Sequence, residues 1–130
     1  MSFFVLSGTF VFAAVAQDEE SENILYNDAI ITAISPAVDK AVDDYYKAIL
    51  KHTPGYGPSY AKIIKIERPN GDRTAYFLIE MEFEPFLGPH ITVGKDRVLV
   101  ELGWGSPPKV LKFEHLEDYP LPEHKAHWRY

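Results

Sequence analysis

Not one cysteine occurs among the 130 residues. That excludes a disulfide scaffold, a thiol nucleophile and thiolate metal sites. Clustered positive charge is missing too: 13 Lys and Arg are scattered among 19 Asp and Glu, for a net charge of −6. A nucleic-acid partner needs phosphate-neutralising cations gathered on one face, and an anionic membrane surface attracts the same pattern, so neither partner is expected. The chain has no G-x-S-x-G, no H-E-x-x-H, no internal repeat and no second domain. What it has is apolar substance, 46% hydrophobic and 14% aromatic. A domain of this length buries about two-thirds of its unfolded surface, enough to fold without a metal or cofactor, and none is expected.

The N-terminal segment FFVLSGTFVFAAVA, Phe3 to Ala16, carries no charge, and QDEESE follows at once. The run is short for a membrane span and suits a signal-peptide core, with Ala14 and Ala16 as the small residues of an A-x-A cleavage site before Gln17. The usual basic n-region is absent, since no Lys or Arg lies between Met1 and Phe3. A buried strand and an uncleaved anchor are the competing readings, but cleavage accounts for the A-x-A site and the abrupt polar switch together. The expected organisation is a signal peptide over 1–16, a single α+β domain over 17–116 and a flexible or draped C-terminal tail over 117–130. The processed protein is expected to be secreted or held at the cell envelope, with no stable membrane span.

Two helices are expected next. Acidic residues precede NILYNDAIITAI, favourable at a helix start. That helix should stop or bend before Pro36, where Ser35 as N-cap and Pro36 at the first helical position begin a second. In the second, Val38, Val42, Tyr45 and Ile49 share one face. After TPGYGPS the period changes to two. YAKIIKIER is strand-like, PNGD signals a hairpin, and Phe77, Ile79, Met81 and Phe83 alternate with Leu78, Glu80, Glu82 and Glu84. ITV is a short edge piece. DRVLVELGW places Val98, Val100, Leu102 and Trp104 on one face, and KVLKFEHL turns Leu111 and Phe113 inward. The architecture implied is α+β, with N-terminal helices packed on one face of a four-stranded antiparallel meander.

Glu80, Glu82 and Glu84 point to one side of their strand, as every second residue must. An acid pair that works in catalysis needs one member buried, and nothing here supplies that. They are expected as a solvated ladder facing Lys65, Arg97 and Lys112. His90, in a Gly-Pro loop, is either a general base or a loop residue bonding to backbone. His115, His124 and His127 crowd the C-terminal segment. His124 and His127, with Glu123, have a metal-compatible spacing, yet Pro120 and Pro122 leave little to pre-organise a site, and no functional metal is expected. Tyr45, Tyr46, Tyr56, Tyr60 and Tyr76 either line a cleft or rim a small core.

The segment LYNDAIITAISPAVDKAVDDYYK and the later Gly88-Pro89-His90 resemble a family of small exported Gram-positive bacterial proteins known only as a domain of unknown function. The matching positions are Asp28-Ala29, Ser35-Pro36, Asp43-Asp44-Tyr45-Tyr46 and Gly88-Pro89-His90, within residues 23–116. The resemblance implies no activity and carries no catalytic residues. At the fold level the order of elements is similar to cystatin-like and NTF2-like proteins. However, ITVG lacks the glutamine of the inhibitory Q-x-V-x-G loop, and likeness of fold assigns no function.

The expected function is non-catalytic binding of a protein or small-molecule ligand at the envelope or outside the cell. The candidate binding residues are Tyr45, Tyr46, Tyr56, Tyr60, Phe86, His90 and Trp104, large side chains on or near loops. The alternative is a small pocket hydrolase or isomerase of the cone-shaped type using His90 with Asp44 or a tyrosine, which requires those groups to converge on a cavity.

Overall fold

The computed structural model describes the backbone of residues 2–130 and the side chains of residues 21–130. The expected signal peptide over 1–16 lies outside the residues whose side chains are described. The chain divides into two compact units, Met1–Ile30 and Ile31–Tyr130. In the first, Ile24, Leu25 and Tyr26 are each more than half exposed. Among the described residues, no helix is long and apolar enough to cross a membrane. The rest of the fold belongs to the second unit.

Helix α1 spans Ser2–Tyr46 with Pro36 inside it, which corrects the expectation of two helices parted at Ser35–Pro36. A proline in a helix interior removes one ladder bond and costs about 3 kcal/mol. Across it, however, Ile31, Ile34, Val38 and Val42 form one unbroken buried stripe, each at most 3% exposed. Burial of an aliphatic side chain contributes about 1.5–3 kcal/mol, so four of them outweigh one proline. Ser35 does not cap a new helix; its hydroxyl donates to the Ile31 carbonyl at 2.7 Å. The stripe continues into Tyr46 and Leu50 rather than Tyr45 and Ile49. The helical repeat tolerates either tyrosine at that turn, and the choice falls on the one whose hydroxyl finds a buried acceptor.

Six strands follow: β1 (Ala61–Glu67), β2 (Tyr76–Phe83), β3 (Phe86–Leu87), β4 (Ile91–Thr92), β5 (Gly94–Gly103) and β6 (Lys109–Asp118). Four of them make an antiparallel sheet in the order β1-β2-β5-β6, the expected meander, and β3 with β4 is a small hairpin inserted between β2 and β5. The class is α+β. On the inner face, Ile79, Met81 and Phe83 lie opposite Val100, Val98 and Asp96, all at most 1% exposed. On the outer face, Glu82 lies between Lys62 and Arg97, and Glu80 between Lys65 and Leu99. Arg97 bonds to Glu82 and sits 3.7 Å from Glu80, and Lys112 is the cross-strand partner of Leu99. The glutamates are the outward, charge-compensated side of a sheet whose other side is the core.

Bulges break the simple alternation. On β1 the register skips Ile64, between Ile63 and Lys65. On β6 it skips Leu111 and Leu116, which are 45% and 37% exposed. Leu111 therefore does not face inward as expected, because a bulged residue leaves the ladder, whereas Phe113 stays opposite Val98. Trp104 lies beyond the strand, 89% exposed.

Of residues 117–130, read from sequence as a flexible or draped tail, Glu117 and Asp118 complete β6, and the chain beyond them is fastened at the helix end. Leu50 and Arg129 form an antiparallel bridge. Lys51 N–H donates to the Trp128 carbonyl at 2.8 Å, and Tyr130 N–H to the Ile49 carbonyl at 3.1 Å.

Candidate functional site

The inner face of β5 begins with an anomaly. Alternation reserves Asp96 a place beside Val98 and Val100, and it is an acid with 0% exposure. A buried carboxylate persists only when its oxygens are bonded, and each one is. The Tyr46 hydroxyl donates to Oδ2 at 2.7 Å, and His115 Nδ1 stands 2.6 Å from Oδ1. The bulge at Leu116 makes this possible by bringing His115, on β6, directly opposite Asp96. Burial pushes the Asp96 carboxyl above the ordinary range, and the bonds from His115 and Tyr46 partly offset that. The same burial, with the adjacent carboxylate, drives the Tyr46 phenol far up, so it stays protonated and donates to Asp96.

Around this network the packing is close. The Tyr45 ring stacks on His115 at 4.8 Å between centroids and meets Phe113 at 5.3 Å. A Cβ on Gly94 would lie 2.7 Å from the Tyr46 hydroxyl oxygen and 2.8 Å from both His115 Cε1 and the Glu117 carbonyl, so only glycine fits. On its other side, His115 Nε2 is 3.6 Å from Asp118 Oδ1. Arg129 Nη2 holds that carboxylate by both oxygens, at 2.9 and 3.1 Å.

A carboxylate orienting an imidazole through Nδ1 is half of a general-base arrangement. Here Nε2 meets a second carboxylate rather than a nucleophile. The network instead joins α1, β5, β6 and the C-terminal segment at one point, and its chemistry is that of a fastening.

A second cluster lies on the loops at the same end of the sheet. The His90 ring stacks parallel to Tyr60, with centroids 5.5 Å apart and planes 6° apart. Phe86 meets both rings, at 4.8 Å from His90 and 4.9 Å from Tyr60. Paired backbone bonds between Gly55 and Phe86 hold the base of this loop. His90 adopts φ +64°, a left-handed conformation that costs a non-glycine residue about 1 kcal/mol or more and marks a position worth functional attention.

The sequence-derived candidates thus separate into groups. Tyr45 and Tyr46 belong to the buried network. Tyr56 lies half-buried at the margin of the core: it packs on Phe83 at 4.8 Å, its hydroxyl bonds to Ser35, and burial pushes its phenol up to about 12. Tyr60, Phe86 and His90 come together, and Trp104 stands apart at the opposite end of β5. Asp44 is engaged by Lys40 at 3.0 Å and Lys47 at 3.4 Å, and Tyr76 bonds to Glu101. His90 is surrounded by rings rather than by acid–base partners. A depression of about 330 Å³ is lined by Ser59, Tyr60, Lys62, Glu82, Glu84 and Lys95, and His90 does not border it. Among the described residues, no three His, Asp or Glu side chains gather as metal ligands, and His127 contacts Trp128 instead.

Sequence reasoning passed over Asp96 and weighed His115 only with the C-terminal histidines. The signal was present in DRVLVELGW, where an acid takes the same parity as four apolar residues, Val98, Val100, Leu102 and Trp104.

No curated protein and no solved structure matches the chain. A family model described as "Protein of unknown function (DUF3888)" matches residues 26–117, well over half of the sequence, and the chain belongs to that family.

Proposed function

We propose that this is a small exported protein that binds a component of the cell envelope through the ring cluster Tyr60, Phe86 and His90. The observation that carries the reading is the cluster itself. Three large side chains are gathered on loops whose base is pinned by backbone bonds, so little conformational entropy is lost when a partner covers them. Phe86 remains partly accessible and His90 is exposed. Support for export comes from the uncharged run Phe3–Ala16 and its abrupt acidic boundary. The mature chain is expected to begin at Gln17, which mass spectrometry of the envelope and medium fractions checks directly.

The binding test is co-sedimentation of the purified protein with washed, insoluble envelope material from its own host. The parent chain is expected in the pellet. The double variant Phe86→Ala, His90→Ala is expected in the supernatant, with a circular-dichroism spectrum matching the parent's. Equal partition of the two proteins overturns the assignment.

A further inference from the structure

Strand β1 is one edge of the sheet, paired on a single side with β2. Its outward edge carries exposed apolar residues: Ile64 and Ile66 are 43% and 42% exposed, although Ile66 lies opposite the fully buried Ile79. Edge strands are usually guarded by lysines and bulges that discourage pairing. Lys62, Lys65 and the Ile64 bulge look like such guards, but their spacing does something else.

In a regular strand, residues five apart face opposite sides. The bulge removes one step from the count. Lys62 then lies opposite Glu82 and Glu67 opposite Leu78, both on the outer face, while Ile63 and Ile66 lie opposite Met81 and Ile79, both on the inner face. The sequence of faces along β1 therefore reads the same from either end, about a point between Ile64 and Lys65. A second copy of β1, laid antiparallel about that point, meets it with like faces matched. Lys62 falls opposite the partner's Glu67 and Ile63 opposite the partner's Ile66, each pair occurring twice. A shift of one residue in either direction sets inner against outer residues, so the register is unique. The outer row Glu114–Arg97–Glu82–Lys62, already alternating in sign within one copy, would continue onto an acid of the next.

We infer that the β1 edge is a self-association surface, on which a second copy of this chain docks antiparallel to give one continuous eight-stranded sheet. Within one copy Glu67 already pairs with Lys65, and docking adds Lys62 of the second chain to that pair. Both apolar inner faces fall on the same side, as a two-fold axis perpendicular to the sheet requires. This rests on the charge and face pattern of β1 alone and does not depend on the envelope-binding reading.

The test is a charge swap measured by sedimentation equilibrium of the full chain over a wide concentration range. The parent is expected to dimerise. K62E and E67K each set like charges opposite one another twice and are expected to weaken the dimer by about tenfold. The double variant K62E/E67K, and an equimolar mixture of the two single variants, both restore opposite pairs and are expected to recover the parent's affinity. A parent that stays monomeric overturns the inference. So does a dimer unaffected by either single variant, or one that neither combination restores.

Discussion

Replacing Asp96 by alanine tests the buried network most directly. The carboxylate has 0% exposure and two partners, the Tyr46 hydroxyl at 2.7 Å and His115 Nδ1 at 2.6 Å. Asp96→Ala removes the acceptor and leaves both groups in place, one of them fully buried. Stranding both hydrogen-bond partners of one buried acidic side chain costs about 3–5 kcal/mol in all, because each orphaned group keeps its desolvation penalty. Tyr46→Phe removes only one neutral donor, and its cost is about 1 kcal/mol. For a domain near one hundred residues, about 4 °C of melting temperature accompanies each kcal/mol, so Asp96→Ala should lower the midpoint by roughly 12–20 °C. Urea unfolding followed by circular dichroism measures both variants. The network also leaves a pH signature. Burial raises the Asp96 carboxyl above its unfolded value of 3.8, so its contribution is complete below that value and is lost as pH rises through the folded one. Asp96→Asn should remove this slope. An Asp96→Ala variant within about 1 kcal/mol of the parent would refute the view that the network fastens the fold.

Gly94→Ala should destabilise by about 2–3 kcal/mol, the cost of overpacking where backbone and a bonded hydroxyl cannot yield, and a crystal structure of the variant should show the Tyr46–Asp96 bond displaced. Pro36→Ala should raise stability by about 1–2 kcal/mol, read in the same urea titration, since it restores a ladder N–H; a loss would mean that the helix depends on the proline. Glu82→Gln should flatten the acid limb of the stability curve. The Arg97 guanidinium holds the Glu82 carboxyl below its usual 4.5, so that contribution is present above 4.5 and is lost as pH falls through the depressed value.

The sheet was readable because period-two alternation in β2 and β5 reports directly which face is dry. Glu80 and Glu82 could be assigned outward because long acids between bulky apolar neighbours have only one low-energy side. The helix was misdivided at Pro36 because a local rule of about 3 kcal/mol competed with tertiary burial, which no window of sequence displays. The bulges at Ile64, Leu111 and Leu116 were invisible for a related reason: a skipped residue is defined by the partner strand. The network lay further out of reach, since Tyr46 is separated from Asp96 by 50 positions and from His115 by 69. Only the parity of Asp96 hinted at it. Of the five tyrosines proposed together, sequence proximity grouped residues that the chain sends to four different places.

The bridge between Leu50 and Arg129, with Arg129 also gripping Asp118, has a bearing on synthesis. The knot around Tyr46 cannot be drawn tight until residues 128–130 have left the ribosome. Until then the emerging polypeptide lacks its last clasp, and locking is deferred until that segment is free to reach the helix end.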